Sequence, residues 1–553
     1  MKADVLVIGA GPTGLVAAAE LRRHGASVLI ADAAEPDERS GGGSRAVVLH
    51  ARSLEVLEPL GVGTELARLG QRAHAVHLVA GPRRTAAIEL HRLDTVHPYV
   101  LVLPQPQLEA ALLDRLKDFE VGVLWGHHVE ELTEEAAGIS AVLNGSGGPV
   151  RVEARYAIDC GGAGSELAAG FGVTERNGMP AASAVLADVR VDGDFAPGVV
   201  TGYSAPDGAV LLLPYRDGHM RVSALDFTGT PPDPSAPPTL DDLQRTVDAI
   251  APVQLRLSEP RWIGRYDTTP RLLDHYRAGR VFFAGDAAHR FAPTAGLGLN
   301  VGVQDAVNLA WKLAYVSRGL ASDSLLHTYH AERHQAGEQT LRATEHLHRL
   351  LRRQSSSGFF RGLSGPIMRG LLSTATAQDR FGTLFSQLGV NYRHTPFSRS
   401  HREHGARAAG DRVPDLSMAS MSDPDLRLYD LLRRPGYLLI GCVSRVQPRA
   451  EREAMADLFA QVRTAYDGLV HPYLLLSEGL PADGEVPVLV DTRRQFRTRM
   501  RAHVGDLLLI RPDGHLAFQL PRTGASLLPN LLGAWVVTHA TTPALTPTHS
   551  VLG

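Results

Sequence analysis

The chain has 553 residues, 44% hydrophobic and 21% charged, with a formal net charge of −3. That length implies more than one domain and a large core, and that balance is the one of an ordinary globular enzyme rather than a disordered or fibrous chain. No basic stripe points to nucleic acid, no apolar run reaches membrane-spanning length, and Cys160 and Cys442 lie too far apart for a metal-ligand spacing or a disulfide framework.

Ala3 to Ile8 is a short apolar run of the length of a buried parallel strand. Because the sequence opens directly on it, no signal peptide is expected and a cytoplasmic location is predicted. Gly9-Ala10-Gly11-Pro12-Thr13-Gly14 follows, then a helical Leu15 to His24 stopped by Gly25, and a second strand, Ser27 to Ala31, ending in Asp32. Each part has a job in holding a dinucleotide. Gly9 permits the tight turn, Gly11 lets backbone approach a pyrophosphate, Gly14 lets helix pack on strand, and the free N–H groups at the helix start hold phosphate. Asp32, eighteen residues past Gly14, stands where a carboxylate can accept ribose hydroxyls.

Ala33–Ser44 reads as a loop, and Arg45 by spacing alone as a loop charge; Ser53 to Leu60 is helical. Strand-like runs from Gln71 to Val102 precede a helix predicted over Gln107 to Leu116 and a strand at Val121–Leu124. Glu130–Leu143 and Val150–Ile158 read as a hairpin-like pair, followed by the glycine cluster Cys160–Ser165. Residues 175–270 alternate in short runs between Pro/Gly/Asp turns, the pattern of a mainly antiparallel sheet. Arg280–Ala284 is again a buried strand, leading into Gly285-Asp286-Ala287-Ala288-His289 and the loop Pro293–Asn300, with an amphipathic helix predicted from Val301 to Val316. His289 reads as a structural histidine, and Tyr215 and Arg290 as candidates for the wall of a substrate cavity. Gly405–Pro414 reads as a linker to a small α/β tail containing the hairpin turn Pro512-Asp513-Gly514.

The run GDAAHRFAPTAGLGLNVGVQDAVNLAWKLA resembles the second FAD signature of the class A flavoprotein hydroxylases, the p-hydroxybenzoate hydroxylase-like aromatic monooxygenases. The resemblance implies that Gly9, Gly11, Pro12, Thr13 and Gly14 with Asp32 hold the ADP half of FAD. It places Arg45 on the phosphates, Gln105 near the flavin, Asp286 on the ribityl or ribose portion, and Pro293, Gly296, Gly298, Leu299 and Asn300 along the isoalloxazine. It implies an α/β fold: a Rossmann-like FAD-binding domain (1–75, 105–175 and 276–404) with an inserted, mainly antiparallel substrate sheet (76–104 and 176–275). A thioredoxin-like domain (405–553) completes it, without a CxxC.

The activity implied is monooxygenation: NAD(P)H reduces FAD, O₂ is captured as a C4a-(hydro)peroxide, and a polycyclic aromatic polyketide or related phenol is hydroxylated or oxidised in Baeyer-Villiger fashion. No acid–base residue is singled out.

Two departures stand out. Ala295 replaces the first glycine of the flavin-facing Gly-Gly pair. The middle signature, Cys-Asp-Gly-x-x-Ser-x-x-Arg in the family, is here Cys160-Gly161-Gly162-Ala163-Gly164-Ser165-Glu166-Leu167-Ala168, emptied of an Asp and two positions for Arg. This predicts weak use of NAD(P)H as the transient reductant, with a flavin reductase as a candidate partner. The alternative reading is an FAD-binding protein that binds or shapes a polycyclic ligand without oxygenation.

Overall fold

The structure is a computed structural model that describes residues 1–36, 38, 46–80, 83–178, 183–228, 236–266, 268–293, 296–353, 374–395, 407–444, 446–476 and 486–536. Arg45 and Ala295 lie outside the described residues.

The strand Lys2–Ile8 buries Val5 to Ile8 at the centre of a sheet. It pairs in parallel with Val28–Ala31 on one side and Gly148–Asp159 on the other. Val123–Leu124 and Val281–Phe283 extend the parallel set outward. All five strands carry their C-terminal ends to one edge, where an open α/β sheet places its ligand. The helices Pro12–Arg23 and Leu297–Ser317 pack on each other beside this sheet, close enough because the first buries an Ala-rich face, Ala17 to Ala19.

A second sheet of seven described strands runs Leu255–Tyr266, Ser183–Gly193, Met220–Asp226, Gly208–Pro214, Val200–Ala205, Ala75–Ala80, Arg83–Glu89. Every neighbouring pair is antiparallel except Val200–Ala205 with Ala75–Ala80. The alternation in the sequence therefore gave the sheet, but hid a helix, Leu240–Ile250. That helix is capped by Thr239 and Asp242, and its buried Leu243, Val247 and Ile250 lie on one face.

Three further expectations change. Glu130–Leu143 is two strands, His128–Glu134 and Ile139–Gly145, because Glu135–Gly138 makes its own turn. The helix expected from Val301 begins at Leu297, since Gly296 takes a left-handed φ of 60° and ends the loop there. Residues 408–416 do not form a solvated linker: they are buried, with Arg412 paired to Glu55 and Gly410 N–H donating to Leu516 O. Among the described residues no helix is long and apolar enough to cross a membrane.

Candidate flavin and substrate site

Three turns leave the C-terminal edge of the parallel sheet and lock together. Gly9 takes φ +97°, and a Cβ there would strike the Cys160 carbonyl; a Cβ on Gly14 would strike the Gly9 carbonyl. Thr13 sits against the third turn, where a Cβ on Gly285 (φ +62°) would come 2.6 Å from its Oγ1. Gly9 and Gly14 are thus required by close approach of backbone to backbone, and Gly285 by its left-handed φ beside the Thr13 side chain.

The turns open on one cavity of about 1510 Å³, larger than the roughly 300–1,000 Å³ of a pocket for one small molecule. Two helix N-termini face it. The helix Pro12–Arg23 starts at Gly11 and the helix Leu297–Ser317 at Gly296, neither with a side-chain cap, so their first N–H groups remain for acceptors in the cavity. Asp32 is buried at the rim, its Oδ2 accepting from Ala10 N at 2.6 Å and its Oδ1 from Ala34 N at 2.9 Å. Those bonds fix the carboxylate beside the first turn. Gln105 Oε1 accepts from Ala46 N and its Nε2 donates to Glu109. A glycine cradle, a fixed acid at the end of the second strand and two anion-favouring helix starts fit FAD.

Most predicted site residues meet here. Gly9, Gly11, Pro12, Thr13, Asp32, Gln105, Asp286, Arg290, Pro293, Gly296, Gly298 and Leu299 all line the cavity. Three do not. Gly14 lies behind the turn, as its packing role requires. Asn300 is fully buried in the first turn of its helix; its Oδ1 accepts from His50 N and its Nδ2 donates to Val48 O and Gly296 O. Its side chain fastens the loop rather than reaching the cavity. Tyr215 is also off the wall, donating its hydroxyl to Asp188 at 2.7 Å.

His289 is structural as expected. Its ring is buried, stacks on Phe291 and pairs through Nε2 with Asp305 at 2.6 Å. Asp305 also accepts from Gly285 N and from Arg333 Nε. Burial alone would raise the Asp305 carboxyl, but the charges of His289 and Arg333 hold it below its usual range.

A polar group on the seven-stranded sheet was not foreseen from the sequence. Buried Arg221 lines the cavity, pairs twice with Asp188 (2.7 and 3.1 Å) and lies over Trp262 at 5.0 Å. Alternation in HMRVSALDF told that Arg221 shares a face with Ser223, but not that this face meets a ligand.

In the middle signature, Asp159 stands two residues before Gly161 and bonds to Gly161 N and Ser165 Oγ. Ala168 is 7% exposed and faces inward. Putting Asp back at 161 and Arg at 168 would therefore crowd Asp159 and the core, so that pair of substitutions does not restore a vacant site.

The profile of a family described as FAD binding domain matches residues 2–344. The 12-dehydrotetracycline 5-monooxygenase/anhydrotetracycline 6-monooxygenase of Streptomyces rimosus is 32% identical over 548 residues, 97% of this chain and 99% of that protein. The solved anhydrotetracycline hydroxylase OxyS from Streptomyces rimosus superposes with a TM-score of 0.75 at 28% identity, over 97% of this chain and 99% of that one. CabE, an aromatic hydroxylase from angucycline biosynthesis, gives 0.74 at 26%, over 97% and 99%. With the family profile covering well over half of the sequence and the cofactor turns in place, the chain belongs to the FAD binding domain family of flavoprotein hydroxylases.

Proposed function

We propose that the protein is an FAD-dependent monooxygenase that inserts one atom of O₂ into a polycyclic aromatic polyketide or a related phenol. The observation that carries this reading is one continuous cavity of about 1510 Å³, walled by the flavin turns on one side and by the seven-stranded sheet on the other. Apart from Arg221, Arg265 and a few hydroxyl side chains, its sheet side is apolar, with Val200, Leu213 and Trp262 among the lining residues, which suits a fused aromatic system. The relatives named above, by their names a monooxygenase of 12-dehydrotetracycline and anhydrotetracycline and an aromatic hydroxylase from angucycline biosynthesis, support the substrate class.

Bound FAD supplies the electron transfer and the activation of oxygen. The chain's own residues bind and orient. Asp32, already fixed by two backbone N–H groups, holds the ribose end. N–H groups at Leu297–Leu299 favour negative charge at the start of their helix, where Gly298 and Asp286 lie side by side. The Asp188–Arg221 pair presents a neutralised cation to the substrate and the surrounding apolar wall excludes water.

We read the domain boundaries as those given by the sequence, with 405–553 a thioredoxin-like domain. In its favour, Val488–Val490, Val470–Leu476 and Tyr437–Val443 lie parallel, followed by the antiparallel Leu507–Ile510 and Leu516–Leu520. Burial pushes the Cys442 thiol up to about 12, which disfavours the reactive thiolate there. A flavin reductase remains the proposed partner and the cytoplasm the proposed location.

NAD(P)H oxidation by the FAD-loaded protein, with and without a panel of tricyclic and tetracyclic phenols, tests the function. Stimulation by a member of the panel is expected. Tight ligand binding without any turnover would favour the ligand-shaping alternative.

A further inference from the structure

Asp159 is the last residue of the strand Gly148–Asp159, level with Ile8 on one side and Phe283 on the other. Its carboxyl is fully buried at the centre of the sheet, and burial pushes it above its ordinary value. A buried acid at that point is costly unless both oxygens are used. They are. Oδ1 accepts from Gly161 N at 2.9 Å, and Oδ2 accepts from the Ser165 hydroxyl at 2.6 Å.

The same carboxylate fills the space beside Gly161, where an added Cβ would lie 3.1 Å from Oδ1. On the other side of the turn Ala163 O accepts from Arg271 Nη1 at 3.0 Å. The turn so pinned is part of the cavity wall and abuts the first glycine turn. Cys160 N donates to Ile8 O at 2.7 Å, and Cys160 O fills the volume a side chain at Gly9 would need.

We infer that Asp159 is a positioning residue of the flavin site: the acid that holds the 160–165 turn against the Gly9 turn stands two residues upstream of Gly161, so the middle signature is rearranged on its acidic side rather than vacated. Asp159 acts on the cofactor only through the turn. The two side chains would share one volume, so the acid can sit at either position but not at both.

The test is a relocation. Apo-protein is prepared for the wild type, Asp159→Gly, Gly161→Asp and the double variant Asp159→Gly/Gly161→Asp, and FAD affinity is read by quenching of flavin fluorescence. Loss of a charge-assisted pair of bonds is expected to weaken FAD binding about ten- to a hundredfold in Asp159→Gly. Gly161→Asp alone, with two carboxylates in one space, is expected to lose affinity as well. The double variant is expected to return to within about threefold of the wild type, a recovery that general destabilisation would not produce. Wild-type affinity in Asp159→Gly, or a double variant no better than the singles, would overturn the inference. Should Asp159→Gly fail to fold, a folded, FAD-binding double variant supports the inference and an unfolded one counts against it. The inference rests on FAD as cofactor: failure of the wild type to bind FAD would remove that reading, whereas indifference of the variants removes only this one.

Discussion

The tip of the last hairpin carries Arg511, whose guanidinium makes two bonds to Glu332 on the long helix Ser324–Arg353, at 2.6 and 2.8 Å, with both side chains buried. Glu332 also accepts from Lys312 and Asn308, and Arg511 also holds Asp513. Burial would raise the Glu332 carboxyl, yet Arg511 and Lys312 bring it down to about 2. The C-terminal hairpin is therefore fastened to the flavin domain by fully desolvated charges. Arg511→Met removes the guanidinium shared by Glu332 and Asp513, leaving Lys312 as the cation on Glu332, and is expected to cost about 3–5 kcal/mol, read by urea unfolding. Adding Glu332→Gln should recover part of the loss. An Arg511→Met midpoint equal to the wild type would contradict this.

Acid should weaken the fold well above the carboxylate range. His24, His330 and His515 each sit at about 4, burial foremost disfavouring the imidazolium form. Their ordinary value is 6.5, so between the two the unfolded chain binds more protons and stability falls as pH drops from 6.5 towards 4. Glu332 acts in the same direction lower down: its depressed carboxyl contributes stability that is lost as pH falls from 4.5 towards 2. Melting scans from pH 7.5 to 5 should show Tm falling by roughly 5–10 °C. His515→Gln should flatten the slope.

Asp32→Ala removes a carboxylate that holds both the first turn and, in the proposed complex, the ribose. FAD should bind more weakly by about 1–3 kcal/mol, read by fluorescence titration of the apo-protein. Gly14→Ala should abolish FAD retention outright, because its Cβ would strike the Gly9 carbonyl and push the turn away from the helix start. Unchanged retention in either variant would contradict the site.

How much of this was written in the sequence depends on range. The Gly9–Gly14 turn and Asp32 were legible because local spacing fixes them, and so was the 285–289 turn. The helix Leu240–Ile250 was missed under the strand pattern around it, although Thr239 and Asp242 and the spacing of Leu243, Val247 and Ile250 mark it. Asp188 with Arg221, and Glu332 with Arg511, were not legible: one pair is 33 residues apart and the other 179, and no local periodicity links them. The role of Asp159 needed the fold, since only the geometry shows its carboxylate reaching into the space beside Gly161.

Reduction of the bound flavin by NAD(P)H should be slow. Gly164 and Ala168 offer no cation to a second pyrophosphate, and Arg271 near the turn is already paired with Glu175. Each missing charge-assisted contact removes about 1.5–3 kcal/mol of binding. Stopped-flow absorbance should show normal reduction by dithionite and a large excess of NAD(P)H needed for the enzymatic route. Saturation at low NAD(P)H would show that other residues supply the charge.

The central claim is tested most directly by mass. Turnover of a polycyclic phenol under ¹⁸O₂, with reduced flavin sustained by a reductase or by excess NAD(P)H, should give a product carrying one ¹⁸O atom. A product formed without label from ¹⁸O₂, or no oxygenated product from any fused-ring phenol under conditions that keep the flavin cycling, would contradict the account.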